Sequence, residues 1–276
     1  MQDEFKIPMK NLPRFIGSGG KVFGLSEHSV KKKSESSLIT YLVCQRRLFG
    51  LFYSGLLPDY FRKMRRGSGV LISSLVRTSD IVGSALFPGD IDILIIPYDG
   101  DHLIVSRTLV VEVKIVRASF IRQGKSPNDF GFSQASTLLD LGFPYAAVAH
   151  LIVSESSPAD AWRQVLSVEM LDGNTGRVSL PQRTTADLLP ADLMERTYGR
   201  LCRNASRAEL GLAAVYIDGW RLIEAGAVAR DGAWFPECRR ATVNAKADRL
   251  VMQSVYNYYE MHHLNFLQTP RYDPES

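Results

Sequence analysis

Apolar positions along the chain change their period several times, and each change predicts an element. From Ser34 onward, Leu38, Tyr41, Leu42, Leu48, Phe49 and Phe52 fall along one helical stripe, and that helix ends near Gly55. The pattern then switches to β-branched runs. GVLISSLV (69–76), IDILIIP (91–97) and TLVVEVKIV (108–116) predict three strands, and the turn Tyr98-Asp99-Gly100-Asp101 makes the last two an antiparallel hairpin. A polar loop (117–131) leads into FSQASTLLDLGF, a helix stopped at Gly142. YAAVAHLIV (145–153) follows, the continuous apolar run of a strand buried on both faces.

The flanks carry weaker signals. Residues 1–33, with Gly-Ser-Gly-Gly at 17–20 and Lys31-Lys32-Lys33, read as a loosely ordered arm. After Ser154, Ser157-Pro158 predicts a capped short helix through Leu166, and DGNTG (172–176) predicts a turn. A helix over 186–203, a strand at GLAAVYI (211–217) and a last helix near 243–264 complete the reading, the last carrying Leu250, Val251, Val255, Tyr258, Tyr259 and Leu264. No 20- to 50-residue repeat and no Gly/Ser/Pro-rich linker divides the chain. The expected organisation is an arm (1–33), a core (34–154) and a C-terminal elaboration (155–276) packed on that core.

Composition narrows the class without naming a function. The 276 residues are 45% hydrophobic and 22% charged, a globular balance that excludes disordered, collagen-like and coiled-coil chains. Lys and Arg number 33 against 29 Asp and Glu, so the net charge of +4 gives only a mild bias toward polyanionic partners. Cys44, Cys202 and Cys238 lie too far apart for a metal knuckle, and their odd number argues for a reducing, cytoplasmic setting. The N-terminal MQDEFKIPMKNLPRF lacks the apolar centre of a signal peptide, and no run approaches the ~20 apolar residues that span a bilayer. No membrane contact is expected. Neither a Walker loop, a dinucleotide fingerprint nor a GxSxG elbow is present.

One constellation carries chemistry. Asp90 and Asp92 begin one apolar strand, and Glu112 and Lys114 lie two apart on the next, so their side chains share a face. Across the inferred hairpin, Asp92 faces that pair. Charges set among Ile, Leu and Val are unfavourable unless partners or a cation neutralise them. Paired carboxylates suit Mg²⁺ or Mn²⁺, and an adjacent ammonium orients or helps deprotonate a water for attack on phosphorus.

PGDIDILIIP (88–97), LVVEVK (109–114) and the helix-β-β-β-helix-β order over 34–154 resemble the PD-(D/E)xK nuclease superfamily. The resemblance implies an α/β fold with a mixed central β-sheet of the restriction-endonuclease type, in which Asp92, Glu112 and the Val113 carbonyl ligate Mg²⁺, with Mn²⁺ as a substitute. Lys114 would position the attacking water, and Gln134 would support the lysine or the scissile phosphate. Asp90 and Glu35 match positions where some branches place further carboxylates. The implied activity is a metal-dependent endodeoxyribonuclease, a prokaryotic restriction or anti-phage defence component working on DNA as a homodimer or as a subunit of a larger complex.

Plainer readings compete at every position. Glu112 and Lys114 could be a surface pair on an amphipathic strand, Asp90 and Asp92 turn and strand-edge residues, and Gln134 a helix-surface residue. His150 reads as a buried, hydrogen-bonded histidine, His262-His263 as a helix terminus, and Trp220, Trp234 and the C-terminal tyrosines as core. Arg117, Arg122 and Lys125, in the loop after the ExK strand, are candidate phosphate contacts, and so are Arg62, Lys63, Arg65 and Arg66; both sets could equally be solvated faces. Two other functions stay open: a ribonuclease using the same site, and a nuclease-fold module that binds nucleic acid or protein without cutting.

Overall fold

A computed structural model describes residues 5–11, 28, 32–83, 89–173, 175–217 and 234–271. The Gly-rich stretch 17–20, Lys31, Pro88, Asn174 and Trp220 lie outside the described residues. In chain order the elements are β1 (Lys6–Pro8), α1 (Glu35–Cys44), α2 (Arg46–Leu56), α3 (Pro58–Phe61), β2 (Ser68–Arg77), α4 (Ser79–Val82), β3 (Asp90–Asp99), β4 (His102–Ile104) and β5 (Leu109–Arg117). They continue with α5 (Phe132–Asp140), β6 (Tyr145–Val153), β7 (Arg163–Ser167), β8 (Met170–Asp172), β9 (Arg177–Val178), β10 (Gln182–Ala186), α6 (Leu189–Asn204), β11 (Gly211–Tyr216), β12 (Glu237–Arg239), α7 (Arg249–His262) and β13 (Leu267–Pro270).

The protein is a mixed α/β fold around one curled mixed sheet. Its strands run β13-β2-β3-β5-β6-β11-β12, and β4, joined by β1, extends the β5 side of β3. β5, β6 and β11 are mutually parallel and the remaining pairs are antiparallel. Parallel neighbours need a crossover, which α5 supplies between β5 and β6 and α6 between β6 and β11. α1, α2 and α3 pack Leu38, Leu42, Phe49, Phe52 and Tyr60 against Ile93, Val111 and Ala147 on one face. On the other, α5 and α7 bury Leu138, Leu139, Val255 and Tyr259 against Leu94, Val110 and Val148. Burial on both faces accounts for the predominantly apolar runs of β3, β5 and β6.

Three sequence expectations are corrected. The helix from Ser34 to Gly55 is two helices broken at Gln45, the first capped by the Ser34 hydroxyl accepting the Ser37 N–H at 3.3 Å. β3 and β5 are antiparallel but not one hairpin: β3 turns into β4 at Asp99–His102, and a 3₁₀ turn at Val105–Arg107 delivers the chain to β5. The short helix to Leu166 is a 3₁₀ turn (Ala159–Ala161) followed by β7, because long-range pairing with β10 wins over a weak local cap. In the C-terminal region β11 extends the sheet beside β6, and β13 extends it beside β2. No helix among the described residues is long and apolar enough to cross a membrane.

Candidate functional site

β3 and β5 part company at Asp92. Their pairing ends at Ile93 and Val111, where one further step would set Asp92 opposite Glu112. Instead the Asp92 carboxylate reaches across, and its Oδ2 accepts the Val113 N–H at 2.6 Å. On the other edge, pairing with β2 skips the same level. Leu75, between the pairs Ser74–Ile93 and Val76–Ile91, has φ of 56°, a left-handed conformation that side chains rarely adopt. Asp92 thus replaces main-chain hydrogen bonding where the ladder is interrupted, and only 6% of it is exposed.

Glu112 and Lys114 project from β5 on the face covered by α5. Lys114 Nζ donates to Glu112 Oε1 at 2.7 Å and to Gln134 Oε1 on α5 at 3.0 Å. Asp92, Glu112, Lys114 and Gln134 therefore converge, although two of them are separated by 20 residues or more from the rest. Glu35, exposed at the start of α1, belongs to the same charge field, because its charge raises the pKa values of Asp92, Glu112 and Lys114. Arg117 Nη2 helps bring it there by donating to Lys33 O at 2.7 Å, which ties the segment before α1 to the end of β5.

Burial dominates the electrostatics. The Asp92 carboxyl is pushed up to about 8 by desolvation first and the Glu112 charge second, against the lowering effect of the Val113 N–H. Glu112 is also raised by burial, partly offset by Lys114. Burial opposes the Lys114 charge, yet the hydrogen bond and charge of Glu112 outweigh it and hold the ammonium's pKa above its ordinary value. The Lys114 side chain is therefore a cation and not a neutral amine.

Three residues passed over as chemistry complete the surroundings. Gly131, at φ 82°, starts α5 directly over the pair, and a Cβ there would lie 2.9 Å from Glu112 Cγ. Asp129 Oδ1 accepts the Gly131 N–H at 3.0 Å, and its charge adds to the raised pKa of Glu112. His150 stands beside Lys114 in the β5–β6 register, fully buried. Its Nε2–H donates to Phe130 O at 3.2 Å, and burial lowers its pKa to about 4, so the ring is neutral. Nδ1 has no hydrogen-bond partner among the described residues. The signal for Asp129 and Gly131 was the Asn-Asp-Phe-Gly turn before the helix, which reads locally as a turn and nothing more.

Other candidates stand apart. Asp90 is exposed at the start of β3, paired in register with Arg77. Arg65 donates to Asp99 Oδ2 at 2.9 Å, which places the 62–66 basic group seven residues from Asp92 along β3, roughly 23 Å at strand rise. Arg122 and Lys125 are exposed in the loop that leads from β5 to Asp129.

Asp92 Oδ1 and Glu112 Oε2 accept no hydrogen bond from the described residues. The two residues are buried, and the Glu112 charge raises the pKa of Asp92, so their hard carboxylate oxygens suit a divalent cation that keeps several waters of its own. Among the described residues there is no group of three His, Cys, Asp or Glu side chains that would form a closed metal site. No protein-family model, curated protein or solved structure matches this chain.

Proposed function

We propose that this protein is a metal-dependent nuclease that hydrolyses phosphodiester bonds of DNA, with a restriction-endonuclease-like core formed by α1, β2, β3, β5, α5 and β6. The observation that carries the reading is the convergence of Asp92, Glu112, Lys114 and Gln134 at the break between β3 and β5. Two buried carboxylates and an ammonium on an otherwise apolar sheet are unfavourable for folding, so they need a function that requires them.

Asp92 Oδ1, Glu112 Oε2 and the Val113 carbonyl would hold Mg²⁺ or Mn²⁺. When bound, the ion supplies Lewis-acid polarisation of the phosphate and a more acidic water. The chain's own groups do the rest. The Val113 N–H holds one oxygen of the Asp92 carboxyl group, so the other, ligand oxygen is pre-aimed. Gln134 and Glu112 hold Nζ of Lys114 between them, leaving its remaining proton to orient a water and its charge to stabilise an oxyanion. Gly131 admits α5 close enough for Gln134 to reach.

Incubation of the purified protein with plasmid, linear duplex, single-stranded DNA and RNA, in Mg²⁺, Mn²⁺ and EDTA, tests the reading. It predicts DNA cleavage that requires the metal. Cleavage of RNA alone would make the protein a ribonuclease, and binding without any cleavage would make it a non-catalytic module.

A further inference from the structure

The C-terminal region places a row of cations beside this site. Arg196, Arg200 and Arg203 fall on α6 at spacings of four and three residues, which aligns them along one stripe at the edge of the buried face. Two of them reach into the loop after β5: Arg196 Nη1 donates to Gln123 Oε1, and Arg200 Nη2 donates to Lys125 O at 2.9 Å. That loop carries Asp129, Phe130 and Gly131 into the site.

No acidic side chain pairs with any of the three among the described residues, while Arg163 and Arg207 nearby both have carboxylate partners. The crowding is electrostatically visible, since burial and then the charges of Arg203 and Arg196 lower the pKa of Arg200. Arg200 in turn lowers that of His150, which adjoins Lys114. Like charges held together without counter-charges are destabilising unless a polyanion is the intended partner.

We propose that the Arg196–Arg200–Arg203 ridge, with the loop it anchors, is the surface on which duplex DNA is seated for the Asp92–Glu112–Lys114 site; the inference rests on the nuclease reading. The ridge spans about 10 Å at helical rise, the length of a few successive phosphates on one strand. A rigid helix fits a regular duplex backbone. The stripe itself carries no aromatic side chain, and of the loop's aromatics only Phe120 is exposed, too few to stack the successive bases of a single strand. The C-terminal region thereby acquires a role: it holds the polyanion while the core cuts.

The test is fluorescence anisotropy with short duplex DNA in EDTA over a salt series, comparing wild type with the triple variant R196Q/R200Q/R203Q. A second triple variant, R62Q/K63Q/R66Q, removes equal charge far from the site. The ridge variant should bind more weakly at every sequence, and its slope of log K against log salt should be shallower by about 2 to 3. The distant variant should retain most of the wild-type slope. Equal loss in both triple variants, no loss in the ridge variant, or a greater loss for single strands or RNA than for duplex overturns the ridge. A wild type that binds with the expected ridge dependence but never cuts in Mg²⁺ or Mn²⁺ supports the ridge and defeats only the catalytic reading, whereas a wild type that binds no nucleic acid defeats both.

Discussion

The Asp92 carboxylate accepts the Val113 N–H at 2.6 Å, standing in for a strand-to-strand hydrogen bond that β3 and β5 no longer make. One oxygen of the carboxyl group therefore joins the two strands, and the other accepts no hydrogen bond from the described residues. Asp92→Asn keeps an acceptor for Val113 while removing the charge, so it separates the strand contact from the charge. The variant should fold, bind Mn²⁺ more weakly, and recover part of its cleavage rate when metal is raised. Calorimetric titration with Mn²⁺ alongside cleavage rates measures both effects.

The same residue makes stability depend on pH in the metal-free protein. Its folded pKa of about 8 lies above the ordinary 3.8, so the neutral form is favoured by the fold. Its contribution is full below about 4 and is lost as pH rises through about 8. Thermal unfolding in EDTA should show wild type losing stability across that window and Asp92→Asn losing less, the difference reaching on the order of 1–3 kcal/mol on the alkaline side. His150 acts in the opposite sense. Its folded pKa of about 4 lies below 6.5, so its contribution is present above 6.5 and is lost as pH falls toward 4.

Lys114 and Gln134 should behave differently from the carboxylates. Lys114→Ala removes the cation that offsets Glu112, so cleavage should fall severely while metal affinity stays equal or rises. Gln134→Ala removes one of the two acceptors that aim Nζ, and the expected loss is about 10- to 100-fold, with metal affinity unchanged. Rate measurements paired with Mn²⁺ titration distinguish the two.

Gly131 tests the packing of α5 on the site. Alanine there must adopt φ of 82° and place its Cβ 2.9 Å from Glu112 Cγ, close to the backbone end of a buried side chain that cannot swing away. The variant should lose about 1–3 kcal/mol of stability together with most of its cleavage. A Gly131→Ala protein as active as wild type would show that α5 need not sit so close.

Much of this arrangement was legible in the chain, for identifiable reasons. Strands buried on both faces announce themselves as apolar runs, so the isolated charges of Asp92, Glu112 and Lys114 stood out against Ile, Leu and Val. Side-chain alternation put Glu112 and Lys114 on one face without any structure. The β4 insertion could not be read, because its three residues pair only with the far end of β3 and with β1 from the N-terminal arm. Nor could the place of Asp129, His150 and the α6 arginines, whose relation to the site is set by crossovers that bring distant segments together. Arg117, a candidate phosphate contact or solvated residue, donates to the Lys33 carbonyl, a partner that no local pattern reveals.

Wild type and Glu112→Ala, purified in parallel and compared on plasmid DNA in Mg²⁺, show whether the buried carboxylates at the break between β3 and β5 cut DNA with a divalent metal. Wild type should convert supercoiled DNA to nicked or linear products, with EDTA stopping the reaction, and Glu112→Ala should leave the plasmid intact while remaining folded. Equal cleavage by the two proteins, or none by wild type in either Mg²⁺ or Mn²⁺, would contradict that role of the carboxylates.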